Sequence, residues 1–129
     1  MQKFVLPFVI LALLTSVLLQ SCEYENFEIA EFNDSDTVSF NQTVLPILTG
    51  NCLGSGCHVS AGGVPPNLTE EFAYISLTGG DYLDLEMPEE SKLFLRMIGD
   101  SKTMPPDGKM SDVKTKTILQ WIKQGALEN

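Results

Sequence analysis

Histidine is almost missing from this 129-residue chain: His58 is the only one. Bases are scarce as well, with eight lysines and arginines against seventeen acids and a formal net charge of −9. That balance lacks the basic surface that phosphate backbones require, and it excludes nucleic acid as a partner. Cysteine occurs three times, at Cys22, Cys52 and Cys57. With Cys22 set aside, Cys52, Cys57 and His58 are too few for structural zinc, which would need a carboxylate or a second chain to complete four ligands. The longest apolar run, from Phe4 to Leu19 and interrupted by Pro7, Thr15 and Ser16, falls short of the ~20 residues a membrane-spanning helix needs. No internal repeat is present, and no stretch alternates convincingly enough to demand a sheet.

The apolar run has a different use. Lys3 precedes it, Leu19-Gln20-Ser21-Cys22 follows it, and beyond Cys22 the composition turns acidic at once. A charged start, an apolar middle and a small residue before the break read as an export signal. Leucine three before a cysteine resembles the lipobox of bacterial lipoproteins. The resemblance implies that residues 1–21 are removed and that Cys22 carries lipid; ordinary secretion or an uncleaved anchor is the alternative. Several acyl chains on one residue hold firmly, since each buried methylene adds ~0.8 kcal/mol. Glu23 at the next position leans towards the outer membrane, so the expected location is the cell envelope, lipid-anchored on the periplasmic or outer-membrane side.

Removing residues 1–21 leaves 108 residues and costs only the charge of Lys3, so the net charge becomes −10. Residues 22–38 are rich in acids and read as a solvated tether. One domain follows, at 39–129, near the small end of what folds alone and favoured by a staple such as a metal, a disulfide or a cofactor. Charge is unevenly spread: Glu23 to Asp100 carries −12, and the part from Ser101 onward carries +2.

Within the domain the punctuation predicts short helices. Ser39 and Gln42 have capping-box spacing before Val44, Leu45, Ile47 and Leu48, with Pro46 limiting the first turn and Gly50 closing it. Thr69 is placed to cap a helix through Phe72, Ala73 and Tyr74 that stops at Gly79-Gly80. Pro88 suits the first position of a third, carrying Leu93, Phe94, Met97 and Ile98 up to Gly99. The clearest begins after Ser111, with Ile118, Trp121, Ile122 and Ala126 on one face. Trp121 reads as core, packing the last helix against the first. Long loops at 50–68 and 99–110 separate these elements.

The chemistry concentrates in Asn51-Cys52-Leu53-Gly54-Ser55-Gly56-Cys57-His58. Two cysteines, the second followed directly by histidine, are what covalent haem attachment requires: the thiols add to the porphyrin vinyls and the imidazole sits beneath the iron. The usual spacing places two residues between the cysteines, whereas here there are four. Gly54, Ser55 and Gly56 suit the bulge that the extra length demands. A plain Cys52–Cys57 disulfide competes with this reading in an oxidising compartment. A thioredoxin-like pair does not, lacking both its spacing and its βαβ context.

A haem held by one histidine needs a second axial ligand or an open site, and the thioether of methionine is the expected ligand here. Met104 stands in Lys102-Thr103-Met104-Pro105-Pro106-Asp107-Gly108, where two prolines stiffen the loop. Met97 falls on an apolar helix face and reads as core, while Met87 and Met110 precede helix starts.

From about Val38 to Ala126 the chain resembles the small single-haem cytochrome c domains of the planctomycete-type group and their lipoprotein relatives. Four blocks carry the resemblance in order: Val44-Leu45-Pro46-Ile47 ahead of the cysteines; Ser91, Leu93 and Arg96; Met104 through Gly108; and Trp121, Ile122, Gly125 and Ala126. It implies an all-α, compact cytochrome c-like fold of about four short helices around one covalently attached haem c. It further implies His58 as proximal iron ligand, Cys52 and Cys57 as thioether residues, and Met104 as distal ligand.

Other positions follow from chemistry. Arg96 is the only arginine, and its planar fork fits a haem propionate; an exposed helix charge is the alternative. The second ring nitrogen of His58 should donate to a backbone carbonyl, with Pro65 or Pro66 as candidates. Tyr82 is placed either at the haem edge or in a surface turn. Leu45, Leu48, Phe72, Leu93, Phe94, Ile118 and Ile122 are expected to exclude water. The resulting expectation is a monomeric electron carrier and not an enzyme, working with redox partner proteins and held at the membrane by its lipid. The lysine-rich C-terminal third is available to steer an acidic partner. A haem sensor or peroxidase-like protein with a displaceable Met104, and a haem-free lipoprotein module held by a disulfide, are the competing functions.

Overall fold

A computed structural model of the chain describes residues 35–100 and 102–129. The export signal at 1–21, the lipidation site Cys22 and most of the acidic tether lie outside the described residues. What is described is helical throughout, with no strand among the described residues and four α-helices. No helix among them is long and apolar enough to cross a membrane.

Ser39 starts the domain. Its hydroxyl accepts from the Gln42 N–H at 3.2 Å, one arm of the expected capping box. A single π-helical turn, Phe40–Val44, then runs directly into α1, Leu45–Cys52. Pro46 supplies no N–H and its ring crowds the carbonyl four residues back, which favours the wider turn just before it. Gly50 does not close this helix, contrary to expectation; it lies inside α1, which continues to Cys52. The Asn51 side chain donates to the Ile47 carbonyl at 2.6 Å, and the backbone leaves helical geometry only beyond Leu53.

The second helix, α2, spans Ala73–Thr78 and starts later than Thr69 suggested. The Thr69 hydroxyl donates to Asn67 Oδ1 at 2.8 Å, and the Thr69 N–H donates to the same oxygen at 3.1 Å. The Thr69 backbone carbonyl receives Phe72 and Ala73 instead. Phe72 sits before the helix and is 41% exposed, so it does not belong to the apolar shell assigned to it.

The third expected helix is two elements: a 3₁₀ turn at Pro88–Glu90 and α3 at Lys92–Ile98. Ser91 divides them, held extended at ψ 127°. Its buried hydroxyl accepts from the Asp84 N–H at 2.9 Å and donates to the Asp84 carbonyl at 3.3 Å, while Asp84 Oδ1 accepts from Glu86 and Met87. These bonds replace the helical ones that a continuous helix would have made.

The last helix, α4, spans Asp112–Lys123. Ser111 occupies the cap position but its hydroxyl makes no capping bond; its carbonyl accepts from the Thr115 N–H at 3.1 Å. Ala126 is buried as expected but lies beyond the helix, because the chain reverses at Gly125 with φ +93°. Ala126 N–H reaches the Trp121 carbonyl and Gly125 N–H the Ile122 carbonyl, the paired closure that a left-handed residue permits. Ile118, Trp121 and Ile122 are fully buried.

These elements meet on aromatic rings. Trp121 packs on Phe40 with centroids 5.2 Å apart, and Tyr74 meets Phe40 edge-on at 5.2 Å. The Trp121 indole donates to the Leu127 carbonyl at 2.9 Å and the Tyr74 hydroxyl to the Ala126 carbonyl at 3.2 Å. Asn129 completes the clasp, its side-chain oxygen accepting from the Phe40 N–H at 2.8 Å. The last helix is thereby fixed against the π-helical turn from which α1, ending at Cys52, continues.

Candidate functional site

Helix α1 delivers Cys52 as its final residue. The four residues that follow form a compact turn in which Ser55 (φ 55°) and Gly56 (φ 72°) both take left-handed backbone. Gly56 N–H returns to the Leu53 carbonyl, Cys57 N–H to the Gly54 carbonyl, and His58 N–H to the Cys52 carbonyl at 3.3 Å. The extra length is taken up by an exposed bulge, and His58 is brought back beside Cys52. Both cysteines are half-buried free thiols. Burial pushes the Cys52 thiol up to about 11 from its ordinary 9.0, so it stays protonated at neutral pH.

His58 is held from the loop that follows. Its Nδ1 lies 3.0 Å from the Val64 carbonyl and 2.9 Å from the Pro66 carbonyl. Both partners can only accept, so Nδ1 carries the hydrogen and Nε2 is the nitrogen left to bind a ligand. Pro66 is one of the two acceptors the sequence offers; Val64 is not. The backbone repeats the clamp on either side, with Val64 N–H donating to the Cys57 carbonyl at 2.7 Å and Leu68 N–H to the His58 carbonyl at 2.9 Å.

Met104 is positioned from α3. Its N–H donates to the Arg96 carbonyl at 2.9 Å, which ties the proline-stiffened loop to the helix carrying Arg96. Of the other methionines described, Met97 and Met110 are buried in the core and Met87 is 58% exposed.

Two adjoining clefts bring these residues together. The larger, about 290 Å³, is lined by Cys52, His58, Met104 and Arg96 with an apolar wall that includes Leu68, Leu93 and Met97. The smaller, about 170 Å³, is lined by Cys52, Cys57, His58 and Met104. Cys52, His58 and Met104 therefore border both spaces, whereas Cys57 faces only the smaller and Arg96 only the larger. Lys92, Lys102 and Tyr82 also line the larger cleft; the sequence leaves Tyr82 between the haem edge and a surface turn and points to neither lysine. Lys92 precedes Arg96 by four residues on α3, so helical spacing was the available signal for it. The Lys92 ammonium pairs with Asp81 and lies 5.7 Å from the Tyr82 ring centre. That hydrogen bond holds the Asp81 carboxyl below its usual range.

The donors suit one kind of group better than another. Among the described residues, no three His, Cys, Asp or Glu side chains are placed together to hold a bare metal ion. Two thiols, an imidazole with one nitrogen already committed, and a thioether around the two adjoining clefts are instead side chains that could hold a covalently attached iron porphyrin. The arginine at the larger cleft could partner a carboxylate. No family model, curated protein or solved structure matches the chain.

Proposed function

We propose that this chain is a small single-haem c-type cytochrome that carries electrons outside the cytoplasm, anchored to the cell envelope through lipid on Cys22. The observation that carries the reading is the meeting of Cys52, His58 and Met104 on one cleft, with His58 Nδ1 already bonded to backbone carbonyls. In this reading Cys52 and Cys57 would hold one haem c per chain through thioethers, and His58 and Met104 would ligate its iron. When bound, the haem supplies a one-electron ferrous/ferric couple, and a His/Met pair favours a comparatively high potential.

The chain's own residues do the rest. The Val64 and Pro66 carbonyls fix the imidazole ring and make Nε2 a stronger donor. The Arg96 carbonyl and the two prolines after Met104 hold its sulfur with little freedom left to lose. Leu68, Leu93 and Met97 keep water from one side of the cleft, and the Arg96 guanidinium offers a propionate two parallel hydrogen bonds. With His58 and Met104 both committed to the iron, the chain would serve redox partners as a carrier and not as an enzyme.

A pyridine haemochrome assay on protein produced alongside a haem-attachment system tests this directly. The expected product is coloured, retains its haem on denaturation, and loses it in His58→Ala. A mature chain that stays colourless and folds equally well would end the proposal and favour the disulfide-held module.

A further inference from the structure

A further space lies outside the cleft that holds Met104. It is an open groove of about 520 Å³ between the 59–67 loop and the end of α2. Gly63, Gly79 and Gly80 lie along it. A Cβ on Gly63 would stand 2.6 Å from the carbonyl oxygens of Cys57 and Val59, so the backbone of the 57–63 segment closes on itself only with glycine there. Val64 and Ile75 stand uncovered on the groove's walls, 54% and 68% exposed, among the polar Ser60, Asn67 and Ser76.

Two further features give the groove a direction. Val64, Pro65, Pro66 and Tyr82 line both it and the larger cleft, so one layer of residues separates the groove from the His58 side of the site. The charge beside it leans acidic. Glu70 and Glu71 are exposed on the stretch between the 59–67 loop and α2, no base lines the groove, and Asp81 is offset by its pair with Lys92.

We infer that this groove is the docking surface for the electron-transfer partner, and that the partner presents an apolar patch ringed by lysine or arginine. The inference rests on the electron-carrier reading and specifies where that function is exercised. It moves the contact away from the lysine-rich C-terminal segment, where charge alone had suggested an acidic partner. An apolar centre within a charged rim is what a transient complex needs: the rim steers the encounter and the centre excludes water. With haem bound, one electron would leave its iron for the partner's centre across the shared wall, oxidising the first and reducing the second by one.

The test uses the reduced, mature holoprotein and a ferric, lysine-ringed soluble cytochrome c as probe, mixed by stopped flow. Ile75→Lys should slow the second-order rate at least five-fold, and Glu70→Lys with Glu71→Lys should slow it and flatten its salt dependence. Oxidation by a small cobalt(III) complex should stay within two-fold of the unmutated protein in both variants. Titration of the same probe against methyl-labelled protein should shift Val64 and Ile75 selectively, a readout that needs no electron transfer. Unchanged protein-to-protein rates with unmoved methyls, or a larger effect from Lys114→Glu with Lys116→Glu, would overturn the assignment. A chain that carries no haem but still shows the methyl shifts would retain the docking surface while removing the carrier function.

Discussion

Chemical modification of Cys52 tests the geometry of the cleft most directly. In the haem-free chain its thiol is half-buried at the end of α1, and desolvation raises it from 9.0 to about 11. Near pH 8 an ordinary thiol is ionised in roughly one molecule in ten, but one at 11 in roughly one in a thousand. Iodoacetamide attacks only the thiolate, so Cys52 should react about a hundred-fold more slowly than in the urea-unfolded chain, before steric shielding is added. Mass spectrometry of the Cys52 peptide across a pH series reads this out. The same shift enters stability. Between pH 9 and 11 the unfolded chain loses this proton while the folded chain keeps it, so stability falls as pH rises. It is fully present below 9 and declines by about 3 kcal/mol, to order of magnitude, across the window. Lysines and tyrosines titrate there too, so the comparison is between the unmutated chain and Cys52→Ala, which should lack this component. An alkylation rate that rises with a midpoint near 9 in the folded chain would refute the burial of Cys52 and, with it, the placement of the cleft at the end of α1.

Other expectations follow from named contacts. Met104→Ala should retain covalent haem, lower the reduction potential and let the ferric protein bind cyanide readily; an unchanged spectrum and potential would show that another group ligates the iron. Trp121→Phe removes the 2.9 Å bond to the Leu127 carbonyl and part of a fully buried ring. It should cost about 2 kcal/mol in urea denaturation, roughly half from each loss, and a midpoint that does not move would contradict the aromatic clasp. On the acid side, hydrogen bonds from Lys92 and Lys123 hold Asp81 and Glu89 below their usual range. Depressed carboxylates stabilise the fold above their unfolded values and lose that contribution as pH falls through the folded ones, so acid sensitivity below about pH 4 should lessen in Lys92→Met with Lys123→Met. Both carboxylates are fully exposed, so the effect should be small and should shrink with added salt.

What the sequence made legible depended on the range of the interactions involved. The buried face of α4 was visible because Ile118, Trp121 and Ile122 recur at helical steps and need no knowledge of the rest of the chain. The Pro66 carbonyl could be named as an acceptor for His58 because it lies only eight residues on. The errors fall where a side chain chose a partner that local patterning does not reveal. Ser91 binds Asp84 and splits a helix, Thr69 turns to Asn67 instead of capping, and Gly50 is carried through α1 because the helix has other bonds to sustain it. Phe72 looked like core by composition and is exposed because α2 begins one residue after it.

The unusual interval between the cysteines is resolved by the same principle. Motif spacing is a proxy for the relation between Cys52, Cys57 and His58, and here backbone bonds set that relation more directly than residue count does. The His58 N–H reaches the Cys52 carbonyl across the insertion, so the bulge at Gly54–Gly56 can lie outward without displacing the imidazole. Downstream, the bonds from Val64 and Leu68 to the carbonyls of Cys57 and His58 fix the other side of the same short segment. Its two ends are thus held by α1 and by the 59–67 loop, and the loop that orients His58 Nδ1 also forms one wall of the exposed groove. The groove and the imidazole thus share the Val64 and Pro66 backbone, so a change at that wall reaches His58 directly.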